Sequence, residues 1–125
     1  MARQLPLPAV SPTQLYLSKP KLVEVLEWFD CDDPQYDPLP VFEHEGQWYL
    51  SDGHTRGFAA ALAGEDTLCV ERDETLREEF DFEAYLTCID WCEEAGVQSI
   101  HDLHGRVVEQ DTYERKWISR CQRLG

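Results

Sequence analysis

Two β-prone runs, at 39–43 and 47–51, are joined only by His44, Glu45 and Gly46, and the second run passes without a linker into Asp52, Gly53, His54, Thr55 and Arg56. A link this short makes the two runs pair as a hairpin. Immediately afterwards Phe58, Ala59, Ala60, Ala61, Leu62 and Ala63 are mostly strong helix formers, and Gly64 suits the position just past a helix end, where the backbone turns left-handed. A hairpin that feeds a helix through five polar or special residues restricts the fold sharply. It calls for a sheet with helices packed on it.

The flanking chain extends this pattern. Residues 1–13 carry Pro6, Pro8 and Pro12 and read as an extended lead-in, followed by a short strand over 14–17. Ser18 is an N-cap and Pro20 sits in the first turn of a helix over 19–29, with Leu22, Val23, Leu26 and Phe29 at helical spacing and Val25 and Trp28 at its margins. A Pro- and Asp-rich loop separates it from the hairpin. Beyond Gly64, 67–71 reads as a strand and 71–83 as an acidic, solvated connection. Phe82, Tyr85, Leu86, Ile89 and Cys92 mark a helix over 82–95, closed by Gly96 and packed on the sheet. A short turn at 99–103 precedes a last helix to about residue 123, with Asp111 as N-cap and Glu114 completing a capping box. The order β-α-β-β-α-β followed by helices indicates one small α+β domain over 1–125. Its core spans 14–72, and a helical extension spans 80–125.

The chain carries 25 acidic against 11 basic residues, a formal net charge of −14 spread along its whole length. A field of that sign repels phosphate backbones, so direct nucleic-acid binding is not expected. A small phosphorylated ligand stays compatible with it, because a few backbone N–H groups and one arginine can hold a phosphate locally. No apolar run reaches membrane-helix length, and the first residues lack the long apolar stretch of a secretion signal. A cytoplasmic protein is therefore expected. The five scattered cysteines, Cys31, Cys69, Cys88, Cys92 and Cys121, fit reduced thiols better than a disulfide framework.

The junction at 52–56 admits two readings. In one it is a ligand cradle: Gly53 permits close approach, the helix N-terminus offers unpaired N–H groups, Arg56 adds a permanent charge, Thr55 a hydroxyl and His54 a ring nitrogen. Asp52 would then accept a substrate proton, hold a ribose or hold a metal. In the other reading Asp52 caps the helix, His54 is packed and hydrogen-bonded, and Arg56 pairs with one of the many acids.

The segment from Leu15 to Glu71, with the Asp-Gly-His-Thr-Arg turn opening an alanine-rich helix, resembles the ParB/sulfiredoxin-like superfamily, whose signature is a Gly-His-x-Arg or Gly-x-x-Arg turn at that place. The resemblance implies a phosphate cradle at Gly53, His54, Thr55 and Arg56. The nucleotide is ATP in sulfiredoxin, CTP in ParB and a nucleotide in the free-serine kinases, whose Asp-Gly-His-His-Arg turn is the nearest form. For this chain it implies ATP or ADP, with magnesium as an option, and kinase-like phosphotransfer with Asp52 or Glu24 as base. The sequence departs from each branch. Gly53 stands where sulfiredoxin has its catalytic cysteine, so sulfinic acid reduction is not expected. No basic helix-turn-helix follows the turn as it does in DNA-acting ParB proteins. After Lys19 and Pro20 the kinase branch has a catalytic glutamate, whereas this chain has Lys21 and Leu22 and offers Glu24 or Glu27 further on. The alternative function is a non-catalytic interaction or regulatory module of the same fold, with a protein partner.

Cys88 and Cys92, four residues apart, with His101 and His104 beyond, form a conceivable zinc set. Both cysteines interleave with the apolar positions of their helix, so buried thiols are the stronger reading and no metal is assigned. Trp28, Trp48, Trp91 and Trp117 each sit among apolar neighbours and read as packing residues.

Overall fold

The computed structural model describes residues 2–74 and 82–124. A five-stranded mixed sheet runs in the order β1-β6-β4-β5-β2. Its strands are β1 (Arg3–Pro6), β2 (Val10–Ser11), β4 (Leu39–His44), β5 (Gln47–Leu50) and β6 (Thr67–Arg72). The predicted hairpin is β4 and β5, antiparallel, with Val41 opposite Leu50 and His44 opposite Gln47. Glu45 and Gly46 close it at φ 51° and 80°, the left-handed pair a tight hairpin turn favours. β6 then returns parallel to β4.

The proline-bearing lead-in is part of the sheet, two strands separated by a 3-10 turn at Leu7–Ala9 where an extended segment was expected. β1 pairs antiparallel with β6 and β2 parallel with β5, so 1–13 supplies both sheet edges, where proline's missing N–H is tolerated. The strand expected at 14–17 is displaced to β3 (Leu17–Ser18). It pairs with β7 (Val107–Val108) in a separate two-stranded ladder that links the start of α1 to the C-terminal segment.

Helix α1 (Lys19–Trp28) opens at the predicted Ser18 cap, and α2 (His54–Leu62) begins inside the polar junction itself. Helix α3 (Phe82–Glu94) lays Ile89 and Tyr85 on Phe42 and Tyr49, covering one sheet face as expected. The other face carries the main core, where Leu39, Leu50, Leu68 and Val70 meet Ala59 and Ala60 of α2 and Ile100 and Leu103 of the short 3-10 turn at Ile100–Leu103. The last helix starts earlier than predicted. α4 (Gln110–Tyr113), a π-helical turn (Glu114–Ile118) and α5 (Ser119–Gln122) run on as one rod whose N-cap is Glu109, leaving Asp111 inside the first turn. The capping box is instead formed by Ser99 and Asp102 at the 3-10 turn. Of the acidic connection at 71–83, residues 75–81 lie outside the described residues.

Two further expectations change. On α1 the buried residues are Leu22 and Val25, followed by Phe29 beyond its end, while Val23 and Leu26 are exposed. The helix is rotated toward Val25 because it packs against α2 rather than centrally on the sheet. Among the tryptophans, Trp117 is buried, but Trp28 is 52% exposed. Among the described residues no helix is long and apolar enough to cross a membrane.

Candidate functional site

The site grows from one backbone torsion. Gly53 sits at φ 78°, ψ 19°, a left-handed conformation that turns the chain from the end of β5 into α2. It is the N-cap residue and has no side chain to cap with, so no side-chain acceptor reaches the first N–H groups of α2. The Gly57 N–H bonds to the Gly53 carbonyl at 2.9 Å, whereas the amides ahead of it have no intrahelical partner. Their dipoles add a partial positive charge at that end. The cap role considered for Asp52 is thus not realised. Its carboxylate is exposed at the rim.

Gln14, Lys21, Val25, Asp52, Gly53 and Arg56, together with His54 and Thr55, line a recess of about 150 Å³ between α1 and the start of α2. Arg56 folds back over the turn. A Cβ placed on Gly53 would lie 2.9 Å from its Nη2, so the guanidinium occupies the space that glycine leaves. Among the described residues, no carboxylate lies within ion-pairing distance of Arg56 or Lys21. In a chain with 25 acids and 11 bases, two cations at one recess with no ion-paired acid among the described residues are a local exception to the global field.

His54 is 4% exposed, and its Nε2 accepts a hydrogen bond from the Thr13 backbone N–H at 2.9 Å. The Thr13 hydroxyl donates to the Leu50 carbonyl at 2.7 Å, tying the ring to the end of β5. An accepting Nε2 places the ring proton on Nδ1. Burial depresses the imidazole pKa to about 4, with Lys21 pushing the same way and Asp52 opposing. His54 is therefore neutral at physiological pH and anchors the lead-in to the junction. On the other side, the Tyr85 hydroxyl donates to the Ser51 carbonyl at 3.0 Å and the Ser51 hydroxyl donates to Asp73 at 2.7 Å. Burial, reinforced by the charges of Asp52 and Asp73, raises Tyr85 to about 12.

Asp52, Gly53, His54, Thr55 and Arg56 are thus brought together, and Glu24 is not with them. Glu24 and Glu27 are exposed and lie on the opposite side of α1 from Leu22 and Val25. From α1 the recess takes Lys21 and, one helical turn further on, Val25. Sequence reasoning passed over Lys21 and Gln14, because it put Val25 at the margin of α1 and the rotation that buries Val25 and brings Lys21 to the recess is set by packing. Among the described residues, Cys88 and Cys92 do not gather with His101 and His104 into a group able to hold a metal.

No family model matches the chain. No curated protein matches it either. Among solved structures, the crystal structure of protein Atu1540 from Agrobacterium tumefaciens is similar, at 16% sequence identity and a TM-score of 0.53 over 82% of this chain. This chain spans 61% of the length of that protein. The likeness is one of fold.

Proposed function

We propose that the recess at the start of α2 binds the phosphate end of a nucleotide, ATP or ADP in the first instance, or of another phosphorylated small molecule. The observation that carries this reading is the convergence of Lys21, Arg56 and the uncapped N-terminus of α2 on one recess, with neither side chain committed to an acid among the described residues. The volume favours a phosphate-sized subsite over a whole-ligand pocket, since pockets that enclose drug-sized ligands run to about 300 Å³ and more. The rest of the ligand would lie outside the recess.

Phosphoryl transfer is the finer form of the proposal. Among the described residues Asp52 is the only carboxylate lining the recess, so it is the group that would take the proton of an attacking hydroxyl or hold a magnesium ion. Glu24 has no part in it. The second reading, a regulatory or interaction module that binds without chemistry, is favoured by His54, whose neutral ring is engaged in holding Thr13.

Calorimetry with ATP, ADP, CTP and inorganic phosphate tests binding. Loss of a charge-assisted hydrogen bond weakens binding by about 1.5–3 kcal/mol, or roughly 10- to 100-fold, so Arg56→Ala should fall in that range and exposed Lys21→Ala at its lower end. Glu24→Gln should bind like the parent. Absence of binding to every probe, or binding indifferent to both cations, overturns the proposal.

A further inference from the structure

A second cavity, of about 230 Å³, adjoins the recess, and Gln14 and His54 line both. The rest of its wall joins Thr13 and Ser51 of the core to Tyr85, Cys88 and Trp117 of the C-terminal extension. Among the described residues no Asp, Glu, Lys or Arg lines it, whereas the recess beside it carries Lys21, Asp52 and Arg56. We propose that this cavity is a second subsite, which seats the aromatic ring of the ligand whose phosphate end the recess holds. The inference rests on the phosphate reading of the recess and narrows it to phosphates that bear a neutral, flat ring, nucleotides first among them.

Size and charge both favour this division. An apolar cavity of about 150 Å³ is enough to hold benzene, so this one has room for a larger, substituted ring. The recess alone falls short of the about 300 Å³ at which pockets begin to enclose whole drug-sized ligands, and recess and cavity together exceed it. Cations line one chamber and uncharged groups the other. A nucleotide divides in the same way, into a charged phosphate end and a neutral base.

The walls are also pre-organised. The Gln14 amide N–H groups donate to the Tyr16 carbonyl at 2.7 Å and to the Tyr113 hydroxyl at 3.0 Å, so the side chain shared by the two chambers is held in place. Trp117 and Cys88 are buried and supply apolar surface. The hydroxyls of Thr13, Ser51 and Tyr85 already donate, to the Leu50 carbonyl, Asp73 and the Ser51 carbonyl. What their oxygens have left to offer a ligand is lone pairs, which suit the N–H groups of a nucleobase. The exposed Trp28, three residues beyond Val25 on α1, offers a competing surface for a ring.

The test is calorimetry on the full-length protein with two pairs of probes, AMP against ribose 5-phosphate and ADP against pyrophosphate, in which the second member lacks the ring. Burying an aromatic ring should make AMP and ADP roughly 10- to 100-fold tighter than their partners. Ala84→Leu, which enlarges a half-buried side chain of α3 that lines the cavity, should remove most of that advantage and leave pyrophosphate binding unchanged. Arg56→Ala should instead weaken ADP and pyrophosphate alike. Photolabelling of the parent chain with 2-azido-ADP should mark the peptides that hold Tyr85 or Trp117, and this decides even where a variant does not fold. Equal affinities within both pairs, an advantage that survives Ala84→Leu, or label confined to the Trp28 peptide overturns the second subsite, while pyrophosphate binding lost in Arg56→Ala leaves the recess reading standing. Absence of binding by every phosphate overturns both.

Discussion

Gly53 and Gly46 have nearly the same backbone, φ 78° and φ 80°, and very different surroundings. A Cβ at Gly46 meets nothing within 4 Å, whereas one at Gly53 would lie 2.9 Å from both Arg56 Nη2 and Leu39 Cδ2. Substituting each by alanine therefore separates torsional cost from packing cost. The left-handed conformation costs an L-residue about 1–2 kcal/mol, offset by about 0.4–1 kcal/mol from stiffening the unfolded chain, so Gly46→Ala should destabilise by ~1 kcal/mol. At Gly53 the arginine end can swing away, but Leu39 is fully buried and has nowhere to go, which adds an overpacking cost of about 1–3 kcal/mol. Gly53→Ala should thus cost roughly 2–4 kcal/mol. For a chain of this size each kcal/mol lowers the melting temperature by about 3–6 °C, so the two variants should differ by several degrees or more in thermal unfolding followed by circular dichroism. Equal losses would refute the reasoning, because the contact with Leu39 would then contribute nothing. The displaced Arg56 should also weaken ligand binding in Gly53→Ala and leave it unchanged in Gly46→Ala.

Two further outcomes follow from the polar groups behind the turn. The folded pKa of His54, about 4, lies below its ordinary value, so the unfolded chain takes up the proton first as pH falls. Its contribution is complete above about pH 6.5 and is lost as pH drops toward 4, with a ceiling of roughly 3 kcal/mol. Urea unfolding at pH 7 and pH 4.5 should show a smaller pH-dependent loss in His54→Gln than in the parent, and parallel losses would sink the assignment. Tyr85→Phe removes the donor to the Ser51 carbonyl and should cost about 1 kcal/mol in the same assay, while an unchanged midpoint would show that water replaces the hydroxyl without loss.

The candidate site was half legible in the sequence. The hairpin, the glycine turn and the helix behind it are set by neighbouring residues, so Asp52, Gly53, His54, Thr55 and Arg56 could be found from local rules alone. The role of His54 could not, because its partner is the backbone of Thr13, 41 residues away. The same holds for Glu24 and Lys21. Both belong to a helix predicted with nearly correct ends, and only its rotation decides which one reaches the recess.

Short-range chemistry thus determined the α+β class, the β4–β5 hairpin and the existence of a glycine turn into a helix at Gly53, since each depends on torsions and spacings within a few residues. Tertiary structure decided what surrounds that start. It placed 1–13 at the sheet edges, turned α1 so that Lys21 lines the recess with Arg56, and brought Cys88 and Cys121 to the lining of one cavity. Helical periodicity marks an apolar stripe only to within a few tens of degrees, and the partner that buries it selects the face. Pairings between distant residues depend on how the elements pack, which no local pattern encodes.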